Sequence, residues 1–332
     1  MAEPGRALAV LTVTHDSAPD LAGWAAAVAG LGPDEVVVVD CASRDGSVAE
    51  AHRVSEEFGL PARVVGLEEN LGFAGGMNRA FAESAAPYLL LLNPDARPHP
   101  GFADKLIVAM EADPRAGAAT GRLVRPAGEG GEARLDACGM RLTWTWRHLD
   151  RGSGEPDRGQ YRQPERVFGG TGAALLLSRR AAEDVAIEPG LVFDPLFHSF
   201  REDAELAFRL AERGWEVLFV PAAEAEHRRF SLPERRRALP AMVNYHSLKN
   251  RYLLRCYHQS LANLLLTLPA TLARDLGALL YVLAFERSSL AAYGWLLSHR
   301  REILERSRCI RRRRKVSLRA VERWFFTAGL PR

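Results

Sequence analysis

Carboxylates placed just past buried strands are the first residues of this chain that could do chemistry. The stretch "YLLLLNPDARPHPG", residues 88–101, runs four leucines straight into Asn93, Pro94 and Asp95. Such a run suits a strand covered on both faces, as in a parallel sheet. Pro94 stops it, because proline brings no N–H to the ladder. Asp95 then stands at the carboxyl end of a central strand, the edge where open α/β sheets bind ligands. A turn-forming Asp is the competing use. "EVVVVD" repeats the arrangement at Asp40, with a cap for the next helix as the alternative. Glu202 and Asp203 open an amphipathic helix, a place that acids also favour for the helix dipole. "GFAGGMN" sets Gly75, Gly76 and Asn78 at a helix start. Small residues there let backbone N–H groups approach a phosphate or ribose, although a tight strand-to-helix turn needs glycine equally.

The elements that must position these groups follow from hydrophobic period. Residues 7–13, 35–40, 62–67 and 88–93 read as strands. Helical patterns cover 18–30, 45–59, 75–85 and 101–113. Strands alternating with helices predict βαβ units and a parallel sheet. Residues 128–163 loosen into Gly, Trp, Arg and Asp; a long loop inside a compact domain is more often functional than idle. "GTGAALLLSRRAAEDV" reads as strand then helix, "REDAELAFRLAERGW" as a helix, and "EVLFVP" as the last strand.

The formal charge of the 332 residues is +3, unevenly spread. Residues 300–332 hold twelve Arg or Lys against three Glu, a local +9 that leaves −6 on the body. A basic tail on an acidic body suits an anionic surface. Cys41, Cys138, Cys256 and Cys309 are far apart and form no C-x-x-C pair, which excludes a zinc knuckle and fits a reducing compartment. The first residues show no basic-then-apolar leader. The first strand is followed by "THDSAPD", so the glycines of a dinucleotide fingerprint are missing, and no Walker motif occurs.

Taken in order, seven stretches resemble family 2 glycosyltransferases of GT-A fold, in their rhamnosyltransferase-like branch. They are "VLTVTHDS", "EVVVVDCASRDGS", "ENLGFAGGMNRA", "LLLLNPDARPHPGF", "FGGTGAALLLSRRA", "FREDAELAFRLAERGW" and "VPAAEAEHRRFS", spanning residues 7–231. The resemblance implies a nucleotide-sugar donor held by Thr14, His15, Asp16, Asp40, Gly75, Gly76, Asn78, Asn93 and Asp95. Asp40 would accept the N3–H of uracil or thymine. His15 and Asp16 stand where the family usually has Tyr and Asn. The family's Asp-x-Asp reads Asn93-Pro94-Asp95 here, which leaves Asp95, with His227, to hold Mg2+ or Mn2+ at the diphosphate. Asp203 would be the base, with Glu202 sharing its proton or orienting the acceptor. Gly169, Gly170 and Thr171 would line the acceptor side. A single base implies single displacement with inversion at C1.

These readings predict an α/β GT-A domain over residues 1–235 and a helical, basic, membrane-facing segment over 236–332. Residues 261–285 are apolar, but Pro269, Arg274 and Asp275 interrupt them, so helices lying at the interface are expected rather than a span. Arg311 to Arg314 would then meet anionic lipid heads. The expected partners are a nucleotide sugar, dTDP-L-rhamnose first, and a lipid-linked or glycan acceptor in cell-surface glycan synthesis. An anionic membrane is the third, with the protein cytoplasmic at the inner face of the plasma membrane. Nucleic acid is excluded, because the aromatics are not interleaved as a stacking platform requires; oligomeric state is left open. The same fold using another UDP-, dTDP- or GDP-sugar is the alternative, and a sugar nucleotidyltransferase a further one.

Overall fold

In the computed structural model, residues 6–126, 132–229, 239–327 and 329–331 are described. The strands are β1 Leu8–Thr14, β2 Glu35–Cys41, β3 Ala62–Leu67, β4 Tyr88–Leu92, β5 Ala96–Pro98, β6 Ala116–Arg125, β7 Arg134–Ala137, β8 Met140–Leu142, β9 His148–Asp150, β10 Glu165–Val167, β11 Ala174–Ser178, β12 Glu216–His227 and β13 Leu330–Pro331. The helices are α1 Ala18–Ala29, α2 Ser47–Glu57, α3 Gly72–Ala82, α4 Phe102–Glu111, α5 Arg179–Val185, α6 Glu202–Arg213, α7 Ala241–His258, α8 Leu261–Phe285, α9 Ala291–Ser298, α10 Arg300–Arg312 and α11 Leu318–Glu322.

One sheet runs β3-β2-β1-β4-β11-β6-β12-β10-β13. Its first four strands are parallel, as the alternating pattern requires, and β11 enters antiparallel between β4 and β6. Side chains alternate across it with the strand period of two. Val10, Val36, Val38, Leu90 and Leu92 pack under α1, α2 and α4. Ala9, Leu11, Val37, Val39, Leu89 and Leu91 pack under α3, α5 and α6. This double cover explains why β2 and β4 are apolar without interruption.

One central strand escapes the sequence pattern. β6 is ten residues long and buried over its first eight, yet it reads AGAATGRLVR. Its small residues are set by close neighbours: a Cβ at Gly121 would lie 2.3 Å from the Ala223 carbonyl oxygen, and one at Gly117 2.9 Å from Trp215. Packing overrides β-propensity there. The loosened stretch after residue 128 also carries structure, since β7 pairs with β6 and β8 with β9. "EVLFVP" is only the first half of β12, and β13 closes the sheet edge against β10.

The carboxyl-terminal helices pack on the α/β body. Leu253 and Tyr257 of α7 and Ile303 and Ile310 of α10 share a core with Phe208 of α6 and Trp146. His258 of α7 lies between Glu205 and Glu212 of α6. The expected boundary at residues 235 and 236 lies outside the described residues, as do Phe230 and Ser231 of the last quoted motif. The basic cluster is not free to face lipid as a unit. Arg311 donates to the carbonyls of Cys256, Tyr257 and Gln259, Arg313 to those of Asp184 and Ala186, and Arg314 pairs with Glu212. Local charge alone does not show which side an arginine takes.

Residues 261–285, whose apolar run is interrupted in sequence, form the single helix α8 through Pro269. Among the described residues it is the one helix long and apolar enough to cross a membrane by length and composition. Asn263, Thr267 and Thr271 are buried, while Leu261, Leu265, Leu268, Leu272, Leu276 and Leu280 are exposed. Its polar side therefore faces the protein and its leucines face outward.

Candidate active site

The pairing of β5 with the far end of β12 sets the first half of the site, placing His227 opposite Ala96. His227 Nε2 lies 3.3 Å from Asp95 Oδ1, and Nδ1 lies 2.7 Å from Asp136 Oδ2. Burial works against a charged imidazole, but the bonds to Asp136 and Asp95 outweigh it and raise the His227 pKa to about 9. Both ring nitrogens then donate. Burial likewise opposes ionisation of Asp95, and His227 outweighs it, so that carboxyl sits below its ordinary value.

These residues fit a divalent cation. Asp95 and His227 would be the residues to hold it, since a carboxylate oxygen and an imidazole nitrogen are both ligand types that such ions accept; among the described residues no group of three or more His, Cys, Asp or Glu forms a complete metal cluster. Asp136 on the far ring nitrogen is the partner that orients a metal-bound histidine. His227 must release its proton to become a ligand.

A second group of expected residues lies at the ends of β1 and β2. Buried Asp40 accepts from the hydroxyls of Thr14 at 2.7 Å and Ser43 at 2.5 Å, and from the Ser43 N–H at 2.9 Å. His15 is exposed and donates through Nδ1 to the Cys41 carbonyl at 2.8 Å. Asp16, at φ 51°, accepts from the Arg44 N–H and donates its own N–H to Ser43. Thr14, His15, Asp16 and Asp40 thus form one braced wall. Asn93 closes the turn after β4, its N–H donating to the Ala173 carbonyl.

Four expected donor or acceptor residues, together with Asn78, have close structural neighbours in the fold. Asn78 spends both ends of its amide on the Phe193 backbone, at 2.7 and 2.8 Å. Gly76 faces Val13 and Cys41, which a Cβ would meet at 2.8 and 3.0 Å. Gly75 sits against Leu71, Gly169 against Ala207 and Gly170 against Thr120 and Leu175, each with a Cβ approach below 3.0 Å. Close packing accounts for these glycines. Thr171 is buried, and the contact with Asp203 is made by the next residue: the Gly172 N–H donates to Asp203 Oδ2 at 3.2 Å.

Asp203 opens α6. Burial, then the Asp150 carboxylate, push its pKa up to about 6. Glu202 is buried with Oε2 unpartnered, and burial and Asp203 hold its carboxyl well above the ordinary range. Arg229 pairs with both Asp136 and Asp150. One charged network therefore runs from Asp95 through His227, Asp136, Arg229 and Asp150 toward Asp203. The link residues Asp136 and Asp150 lie in the stretch flagged as a functional loop, and that flag was their only signal.

The turn before Asp203 is strained. His198, Phe200 and Arg201 all have positive φ, at 62°, 71° and 73°, which costs of order 1–3 kcal/mol per non-glycine residue in sparsely populated regions. Asn250 of α7 holds it: Nδ2 lies 2.7–2.8 Å from the carbonyls of Phe197, Ser199 and Phe200. The carboxyl-terminal region thus helps to place Asp203.

Residues 9–185 match the model of Glycosyl transferase family 2, more than half of the chain. The chain belongs to that family. This glycosyltransferase is 29% identical, over 251 residues, to the N-acetylglucosaminyl-diphospho-decaprenol L-rhamnosyltransferase of Mycobacterium tuberculosis, covering 66% of this chain and 75% of the relative. Its fold is shared with the mannosyltransferase PcManGT of Pyrobaculum calidifontis, solved with GDP-Man and Mn2+, at TM-score 0.53, 17% identity, and coverage of 98% of this chain and 89% of that one. GalNAc-T7, solved with UDP, GalNAc and Mn2+, matches at TM-score 0.57 and 15% identity over 76% of this chain, which spans 48% of that chain. The GT-A architecture expected from the motifs is the one found.

Proposed function

We propose that this glycosyltransferase moves a single sugar, L-rhamnose from dTDP-L-rhamnose, to a sugar carried on a lipid diphosphate during cell-surface glycan synthesis. Another UDP-, dTDP- or GDP-sugar is the alternative donor. The carrying observation is the separation of roles. Asp95 and His227 form one centre, and Asp203 stands apart from it with its pKa raised to about 6. The donor and acceptor classes follow the name of the mycobacterial relative.

Asp95 and His227 would hold Mg2+ or Mn2+. A cation bound there supplies Lewis-acid neutralisation of the charge that develops on the nucleoside diphosphate. The Thr14–Asp16 edge and Asp40 receive the nucleoside. Asp203 takes the proton from the acceptor hydroxyl as its oxygen attacks C1. The bond from C1 to the diphosphate breaks, the nucleoside diphosphate leaves with that electron pair, and C1 inverts. The Gly172 N–H keeps the Asp203 carboxylate aimed. The outward leucines of α8 support a peripheral position for the enzyme at the cytoplasmic surface of the membrane that holds the acceptor.

A panel of nucleotide sugars, incubated with Mn2+ and a lipid-diphosphate N-acetylglucosamine acceptor, tests this. Transfer from dTDP-L-rhamnose with an inverted product is expected. Turnover of a different donor alone would replace rhamnose, and failure of every donor would sink the transferase reading of this site.

A further inference from the structure

Arg97 stands in β5, two residues after Asp95, and the transfer reaction above gives it no part. Its guanidinium is turned back on its own turn. Nη1 donates to the Pro94 carbonyl at 2.6 Å and to the Ala96 carbonyl at 2.9 Å. The carbonyl between them, that of Asp95 itself, accepts from the Arg228 N–H at 3.2 Å. Three consecutive carbonyls centred on Asp95 are therefore held, two by Arg97 and one by the residue that follows His227.

Helix α1 anchors both arginines. Arg97 Nη2 donates to the Asp20 carbonyl at 2.7 Å and lies 3.7 Å from Asp20 Oδ1. The same carboxylate oxygen accepts from Arg228 Nη1 at 3.0 Å. Gly23, three residues along the helix, makes room. A Cβ there would come within 2.7 Å of Arg97 Nε and 3.1 Å of Nη2. Glycine inside a helix is destabilising relative to alanine, and α1 is otherwise rich in alanine, so the gap at Gly23 serves the guanidinium rather than the helix. The planar fork of arginine donates in several fixed directions at once, which the ammonium of lysine on its flexible stem does not. A positive side chain beside a cation site also repels the ion. Geometry, not attraction of a metal, is what Arg97 can supply there.

We infer that Arg97 is a positioning residue of the cation site. It fixes the Asp95 turn against α1, and Asp20 joins it to Arg228, so the segments that bear Asp95 and His227 are tied to one helix. This rests on the reading of Asp95 and His227 as the pair that would hold Mg2+ or Mn2+. Arg97 acts through the turn and has no contact with the ion in this role.

The test is calorimetric titration of Mn2+ into the full chain with dTDP present, repeated with UDP and with GDP so that the choice of nucleotide does not decide the outcome. Wild type should bind, and Asp95→Asn should bind far more weakly. Arg97→Gln should weaken Mn2+ by roughly tenfold or more, the range of a lost orienting partner, although it removes a charge that repels the ion. The sign separates the roles, because an Arg97 that acted by charge alone would give tighter binding in the variant. Arg97→Lys should fall between wild type and Arg97→Gln. Gly23→Ala keeps the arginine, pushes its guanidinium aside and puts a better helix former into α1. It should melt no lower than wild type without metal and still bind Mn2+ more weakly, a pairing that a merely structural role would not produce. If Arg97→Gln melts early, Gly23→Ala decides. Wild-type or tighter Mn2+ binding by these variants, with Asp95→Asn impaired, would overturn the positioning role and leave the metal reading standing. Equal binding by wild type and Asp95→Asn would overturn the metal reading and this inference with it.

Discussion

His227 Nε2 and Asp95 Oδ1 face each other at 3.3 Å across the pairing of β5 with β12. Asp136 holds the other ring nitrogen. Replacing that partner with Asn should therefore lower Mn2+ affinity by roughly 10–100-fold, the usual effect of losing an orienting carboxylate. Titration calorimetry with dTDP present measures it. Unchanged affinity would remove Asp136 from the metal centre.

Asp203→Asn should keep donor binding and lower turnover by about 10²–10⁴-fold, because an amide cannot accept the acceptor's proton. Donor binding and rate are measured on one preparation. Near-normal turnover would move the base elsewhere, to Glu202 first.

Acidity separates the same residue from its neighbours. With a folded pKa of about 6, Asp203 holds its proton below that pH, so at saturating Mn2+, where His227 has already given up its proton, kcat/KM should rise through pH 6. The stability sign is the reverse. The folded carboxyl holds its proton more tightly than the unfolded one, so folding loses stability as pH rises from the ordinary Asp range through about 6. Asp203→Asn should thus melt higher than wild type at pH 8 and less so at pH 4. A lower melting point at pH 8 would contradict the cost that burial and then Asp150 put on the Asp203 carboxylate.

Asn250→Ala removes the amide that ties three carbonyls of the 197–200 turn. At about 0.5–1.5 kcal/mol net per bond, a loss of roughly 2 kcal/mol is expected in denaturant unfolding. Turnover should fall more than donor affinity, since the turn aims the base. Equal loss of both would mean that Asn250 serves stability alone.

Neutralising Arg313 and Arg314 should lower the melting temperature, because both bind catalytic-body residues. Vesicle flotation should instead depend on the α8 leucines and resist high salt, as apolar contacts do. Salt-sensitive flotation that the leucine changes do not affect would return the role to the basic residues.

The sequence by itself determined the parallel half of the sheet and most of its helices, because a strand buried on both faces must be apolar and a helix on a sheet must be amphipathic. It also placed Asp40, Asp95 and Asp203 at strand or helix ends, and its motifs pointed to a glycosyltransferase, the class the comparisons support. Tertiary structure decided what local pattern cannot encode. β6 is small and glycine-bearing because Trp215, Phe102 and the Ala223 carbonyl crowd it. Asn78 is a brace for Phe193 because its amide reaches a backbone far along the chain. Asp136 and Asp150 matter only once the sheet brings them to His227, Arg229 and Asp203. The same holds for α8: its composition is apolar either way, but only packing on the body shows that Arg274 and Asp275 turn inward and the leucines outward. Side-chain chemistry is written locally, whereas burial and pairing arise from contacts between distant segments.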